Sequence, residues 1–193
     1  MKKYKTIVAD PPWLPSLGAT WKEAVGKPRP QNVYQCLSVA EISAFKIPSE
    51  NQAHLYLWCL SQHADWGFSV ARAWGFDPVT MLTWIKPGLG VGRFQCNTEQ
   101  IIIARKGPRQ GNPFGFGGRN ASATGGTAFN WARGRHSEKP AEFFKMVEKI
   151  SPGPFLEMFA RKPRVNWDIW GDEVVSDVII DDRRDCGFER EIK

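Results

Sequence analysis

Short apolar runs, each cut off by turn-forming residues, alternate along this chain with stretches of helical period. Tyr4 to Ala9 reads YKTIVA and stops at Asp10-Pro11-Pro12-Trp13. Proline has no N–H to give a sheet ladder, so a strand ends there. His54 to Leu60 (HLYLWCL), Val79 to Ile85 (VTMLTWI), Gln100 to Ala104 (QIIIA) and Phe155 to Phe159 (FLEMF) read as further buried strands, and Val174 to Ile180 as one more. Ser38-x-x-Glu41 is a capping-box start for a short helix reaching Phe45. Ala64 to Trp74 is a second helix, with Gly75 as its stop. Glu138 to Ile150 is a third, with Pro140 in its first turn and Phe143, Phe144, Val147 and Ile150 near one face. Strand and helix in alternation predict an α/β sheet with parallel neighbours. The third and fourth strands have no helix between them, which predicts an antiparallel pair joined through residues 88–98.

Two stretches lack this patterning. Residues 14–36 are rich in Pro, Gly and Lys, and residues 106–135 in Gly and polar groups. Long irregular loops are uncommon in compact domains unless they serve a site; residues 106–135 are expected to be a mobile basic loop. The 193 residues suit one domain, expected over 1–175, with a charged tail over 176–193. Hydrophobic residues at 42% support a packed core. No apolar run reaches the roughly 18 residues of a membrane span, so no membrane partner is expected. The four cysteines form no C-x-x-C pair, which argues against zinc and against a disulfide scaffold, and a cytoplasmic location is expected. From residue 172 onward there are eight acidic and four basic residues, so the net charge of +6 hides a strongly basic body. Such a surplus suits a polyanionic partner.

The sharpest chemical feature is Asp10-Pro11-Pro12-Trp13 at the carboxyl end of the first strand, where open α/β sheets bind ligands. Asp10 supplies an anionic acceptor. The two prolines hold a rigid turn with carbonyl acceptors and no donors. Trp13 supplies a flat stacking face. Together they suit a planar base bearing an –NH₂ group. Two acceptors gripping its protons favour the pyramidal amine and aim its lone pair at an electrophile, with positioning and electrostatics supplying the rate.

These residues, with others spread along the chain, resemble the DPPW-type amino-methyltransferases that use S-adenosylmethionine. This is the family of the catalytic subunit of the messenger-RNA adenosine methyltransferase, with bacterial and phage DNA-modifying members. The resemblance runs from about Lys5 to Glu173. It rests on Val8-Ala9-Asp10-Pro11-Pro12-Trp13, Val33-Tyr34 ahead of Leu37 to Ile42, Thr83-Trp84-Ile85-Lys86-Pro87, and Glu99. It continues through His136-Ser137-Glu138-Lys139-Pro140, Ser151-Pro152-Gly153-Pro154, Leu156 to Arg161, Trp167, and Trp170-Gly171-Asp172-Glu173. The resemblance implies a circularly permuted, mostly parallel Rossmann-like sheet in a three-layer α/β sandwich, and it accounts for the absence of a G-x-G-x-x-G after any strand. It implies that Asp10, Pro11, Pro12 and Trp13 are catalytic and hold the target base. It implies that Lys139 meets the methionine carboxylate of the cofactor, and that Asp10, Phe159, Arg161, Asp172 and Glu173 lie around the rest of it. Family members often carry Asn where this chain has Asp172.

Residues 86–135 hold eight basic residues and one acidic, Glu99, with Phe94, Phe114, Phe116, Phe129 and Trp131 interleaved. Cations beside aromatics suit phosphate contact and base stacking; the alternative is that the aromatics return to the core. Trp13, Tyr34, Lys86, Glu99, Arg133 and Arg135 are the candidate substrate contacts. A duplex base must flip out to reach a pocket at a sheet edge, and Tyr34 and Trp13 are placed to receive it. The expected activity is methyl transfer from S-adenosylmethionine to the N6 amine of adenine in double-stranded DNA, without a metal, by a monomer or homodimer of bacterial or phage restriction–modification type. The alternatives are N6 methylation of RNA, N4 methylation of cytosine, and a catalytically inactive nucleic-acid-binding partner subunit.

Overall fold

The computed structural model describes residues 2–13, 36–89, 95–108, 126–134 and 138–180. Its strands are β1 (Tyr4–Ala9), β2 (Ser49–Leu60), β3 (Asp77–Ile85), β4 (Thr98–Lys106), β5 (Ala128–Phe129), β6 (Phe155–Met158) and β7 (Trp167–Trp170). Its α-helices are α1 (Val39–Ala44), α2 (Ala64–Ala73) and α3 (Ala141–Ile150). The strands form a sheet in the order β5-β3-β4-β2-β1-β6-β7. Among the described strands β4 alone runs against its neighbours: β1 is parallel to β2 and β6, β6 to β7, and β3 to β5.

Alternation along the central strands builds two cores. Ile7, Ala9, Leu55, Leu57, Ile102 and Ala104 face one side of the sheet, where α1 contributes Ile42 and α2 Val70 and Ala71. Val8, Tyr56, Trp58, Ile101 and Ile103 face the other, against Phe143, Phe144 and Val147 of α3. Both faces are covered, so the parallel strands read as unbroken apolar runs. At Gly67 on α2 an added Cβ would lie 2.9 Å from Ile102 Cγ1, so the absent side chain lets the helix seat closely on the sheet. The result is the three-layer, mostly parallel α/β architecture expected from the sequence.

Local signals acted as expected at several ends. Ser38 caps α1 and forms the capping box with Glu41. Gly75 ends α2 with φ +79°, a conformation that favours glycine. Two expectations need correction. Pro140 is the residue before α3, not within its first turn, so Glu138 and Lys139 precede the helix. Residues 174–180 form no strand. The seventh strand is Trp167–Trp170, and Asp177 lies beside it, donating its N–H to Ile169 O and accepting from Ile169 N. Beyond residue 175 the packing continues, since Ile180 is buried in the first core. Part of the basic loop also returns to the core. Trp131 stacks on Phe129 at 4.3 Å and packs against the second core, and its carbonyl accepts from Trp84 Nε1. Trp131 takes the core reading, not the base-stacking one, and Phe129 stacks on it. Residues 109–125 of the loop, with Phe114 and Phe116, lie outside the described residues, as do Phe94 and residues 181–193 of the tail.

Candidate active site

The chain leaves β1 toward β2 on one side and later returns to β6 on the other side of β1. Where strand order reverses in this way, the loops diverge and open a crevice at the carboxyl ends of the strands. Asp10 follows β1 at that place, with its N–H directed to Met158 O at the end of β6. The same sheet edge collects Lys86 after β3, Phe159 after β6 and Glu173 after β7. Because β4 is reversed, its first residues lie there too, which delivers Glu99. Helix α3 starts at this edge, so Lys139 joins them.

Four of these side chains form one chain of charge. Lys139 Nζ lies 2.8 Å from Asp10 Oδ2 and 3.2 Å from Glu99 Oε2, and Lys86 Nζ lies 3.1 Å from Glu99 Oε1. The side chains of Lys139, Glu99 and Asp10 are only 13%, 15% and 24% exposed. Burial pulls the Lys139 ammonium down, but Asp10 and Glu99 outweigh it and hold it above the ordinary lysine range. Burial would raise the Glu99 carboxyl, but Lys139 and Lys86 outweigh that and hold it below the ordinary range. Lys139 and Glu99 therefore each keep their charge because oppositely charged partners are present. The helix dipole at the start of α3 opposes a cation, and the two carboxylates overcome it. Lys139 also lies 5.0 Å above the centre of the Trp58 ring, a cation–π contact.

Asp10, Lys139, Phe159, Arg161 and Glu173 line one cavity of about 400 Å³, within the range of small-molecule sites. Its wall carries both signs: Asp10, Glu138, Glu157 and Glu173 against Lys139, Arg161, Lys162 and Arg164. Phe159 turns out of β6 at φ +61° and meets Phe45 and Trp170 edge-on at 5.5 and 5.3 Å. Arg161 Nε is 3.6 Å from Glu173 Oε1. Asp172 is exposed and does not line this cavity. Glu157 does. Burial pushes its carboxyl up, and Arg164 Nε, 2.9 Å away, offsets only part of that. No role was read for Glu157 in the sequence, although an acid inside the otherwise apolar FLEMF strand is itself the signal. Among the described residues no group of His, Cys, Asp and Glu is placed to hold a metal.

The turn after Asp10 differs from its sequence reading. Trp13 is 7% exposed and belongs to the first core, with Nε1 donating to Trp58 O at 2.8 Å. It anchors the turn and presents no open stacking face here. Pro11 O accepts from Trp13 N and Pro12 O from Leu37 N, each at 2.8 Å, which leaves each carbonyl one further lone pair. Arg133 lies not in this cavity but in a second one, which it shares with Lys86. Tyr34 and Arg135 lie outside the described residues.

S-Adenosylmethionine joins an ammonium and a carboxylate to a sulfonium, a ribose and an adenine. A wall of alternating charge with aromatic edges has the donors and acceptors for such a molecule. Trp58, which lines the same cavity, is 1% exposed and its Nε1–H has no partner among the described residues. An orphaned buried donor marks a place where a ligand or water completes the site. The residues present therefore fit the cofactor.

Known proteins resemble this chain over most of its length. A type II methyltransferase of a Mycoplasma species, M.MunI, is 28% identical over 190 residues, covering 90% of this chain and 78% of the relative. The N(6)-adenosine-methyltransferase subunit METTL3 of Danio rerio is 26% identical over 185 residues, covering 89% of this chain. The chain spans only 28% of that longer relative. A Drosophila melanogaster MT-A70-like N(6)-adenosine-methyltransferase is 22% identical over 201 residues. The MT-A70 family matches residues 4–173, a span that includes Asp10, Glu99, Lys139 and Glu173. The chain belongs to the MT-A70 family of methyltransferases.

Proposed function

We propose that this methyltransferase moves a methyl group from S-adenosylmethionine to the N6 amine of adenine in double-stranded DNA. The observation that carries the reading is the position of Asp10. It sits at the switch point of the sheet, in the cavity wall, with its carboxylate held by Lys139. When bound, the cofactor supplies a methyl group on a positively charged sulfur. Lys139, Arg161, Phe159 and Glu173 are the residues that would hold it; the ammonium of Lys139 suits a carboxylate and Glu173 suits ribose hydroxyls.

The protein's own part is positioning and electrostatics. Asp10 accepts one proton of the target amine, and the spare lone pair of a proline carbonyl accepts the other. Both acceptors are fixed before the base arrives, Asp10 by its ion pair and the turn by Trp13 buried beneath it. Fixed acceptors cost no reorganisation during reaction. Both contacts are hydrogen bonds to the two N–H groups; after transfer one proton passes to solvent or to a carboxylate, and the other stays on the methylated nitrogen. No covalent enzyme intermediate is needed. DNA is preferred as the polymer because the type II methyltransferase matches over most of both chains, and because the basic surplus suits a duplex backbone.

The test uses methyl-labelled S-adenosylmethionine with duplex DNA and with RNA of the same sequence. Label is expected in DNA. Label in RNA alone would overturn the choice of polymer, and no calorimetric heat with the cofactor would favour an inactive partner subunit.

A further inference from the structure

A second cavity of about 590 Å³ opens on the other side of the charge chain, between the end of β2, the turn leaving β3 and the start of β4. Its wall carries Lys86 and Arg133 with Ser61, Gln62, Asn97 and Thr98, and no carboxylate among the described residues. The contrast with the first cavity is one of sign: there four acids balance four bases, while here the two charges are both positive. Arg133 is exposed and makes no ion pair or hydrogen bond among the described residues, and the Asn97 side chain makes none either. Lys86 is half-committed, with Nζ on Glu99. The frame beneath is fixed. Ser61 Oγ bonds to Thr98, Gln100 Nε2 donates to Ser61 Oγ, and Gln100 Oε1 accepts from Thr83. Lys86 N donates to Asn97 O at 2.7 Å, which closes the base of the β3–β4 connection.

An uncommitted guanidinium, an ammonium and a free amide around a space without acids make an anion site. Guanidinium matches a phosphate by two parallel N–H bonds. Three ion pairs in series, from Lys86 through Glu99 and Lys139 to Asp10, join this cavity to the reaction centre. An anion held here therefore lies one residue chain away from the amine that Asp10 would grip.

We infer that this second cavity seats a backbone phosphodiester of the DNA strand beside the target nucleotide, with Arg133 and Lys86 as its cations and Asn97 as a neutral donor. The inference rests on the nucleic-acid methyltransferase reading and deepens it. Phosphate contacts set register and orientation and do not read sequence. The cavity would thus hold the strand while the base leaves the stack.

The experiment measures binding of a mixed-sequence DNA duplex by fluorescence anisotropy across a salt series, for the wild type, Arg133→Gln and Lys145→Gln. Lys145 is exposed on α3 and controls for loss of a positive charge elsewhere. A lost phosphate contact reduces the slope of log K against log salt by about 1. Arg133→Gln is expected to show that reduction and to weaken binding about tenfold at moderate salt, while Lys145→Gln keeps the wild-type slope. Calorimetry with S-adenosylhomocysteine is expected to give the same affinity for wild type and Arg133→Gln, which shows that the first cavity and the fold are intact. In turnover, KM for DNA is expected to rise with kcat within about threefold. A wild-type slope in Arg133→Gln, equal slope losses in both variants, or no duplex binding by the wild type would each overturn the inference. The readout is binding, so it decides the cavity's role even if label enters RNA and not DNA.

Discussion

Lys139→Met is expected to lower stability by about 3 kcal/mol at neutral pH. The ammonium is the shared partner of two largely buried carboxylates. Removing one member of a buried ion pair leaves uncompensated charge, and such losses run to about 3–5 kcal/mol. For a chain of this size that is a fall of about 10 °C in Tm. Methionine fills much of the same volume and keeps contact with the Trp58 ring, so the loss reports charge more than packing. The pH dependence has a definite sign. The Glu99 carboxyl is held low in the folded protein, so its contribution is present above its unfolded pKa of about 4.3 and is lost as pH falls through the folded value. The Lys139 contribution runs the other way: its pKa is raised, so it is present at neutral pH and is lost only as pH rises through the folded lysine value. The deficit of Lys139→Met is therefore greatest near neutrality and narrows below about pH 4.3. Thermal melts between pH 3 and pH 8 read this directly. A second variant, Lys139→Met with Glu99→Gln, is expected to recover part of the loss, because one of the orphaned charges is gone. A deficit that is the same at every pH would mean that the three groups are not coupled.

The second large effect is on turnover. Asp10→Asn keeps the shape of the side chain and removes its charge. In the proposed reaction the acceptor is then weaker and one of its two atoms is a donor facing the donors of the amine. Loss of one preorganised electrostatic contact costs about 10²–10³ in rate, and a displaced proton acceptor costs a similar factor. A fall of about 10³ in kcat is expected, with cofactor affinity changed far less and Tm lowered less than in Lys139→Met, because Glu99 still pairs with the ammonium. Single-turnover methyl transfer measures it. Activity within tenfold of wild type would remove Asp10 from the centre of the reaction.

Much of this was legible in the residues, and the exceptions have physical causes. Asp10 closing β1, Ser38 and Glu41 capping α1, and Gly75 ending α2 are local signals, and local chemistry decided them. The reversed β4 was legible because the segment between it and β3 is rich in Gly, carries Pro87 and shows no helical pattern. The last strand was not. Val174 to Ile180 has more aliphatic residues than WDIW, yet Trp167 and Ile169 are the ones that alternate into the core. Asp177 satisfies the backbone of β7 and leaves its own neighbours without a ladder. Trp13 was expected to offer a stacking face, but a sequence does not say which way an indole points, and the core claimed it. The charge chain joins residues 10, 86, 99 and 139, which are brought together only by the crossovers of the sheet. Each of its members was visible; their pairing was not. The same holds for the sign of the second cavity, which depends on which side of Glu99 each lysine lies.

The account stands on the N6 amine of adenine gripped by Asp10 beside the methyl donor. The most direct measurement is mass spectrometry of nucleosides released from duplex DNA after incubation with the wild-type protein and S-adenosylmethionine. The account predicts N6-methyl-2′-deoxyadenosine. N4-methyl-2′-deoxycytidine in its place, or a ring-carbon methylated base, would contradict it.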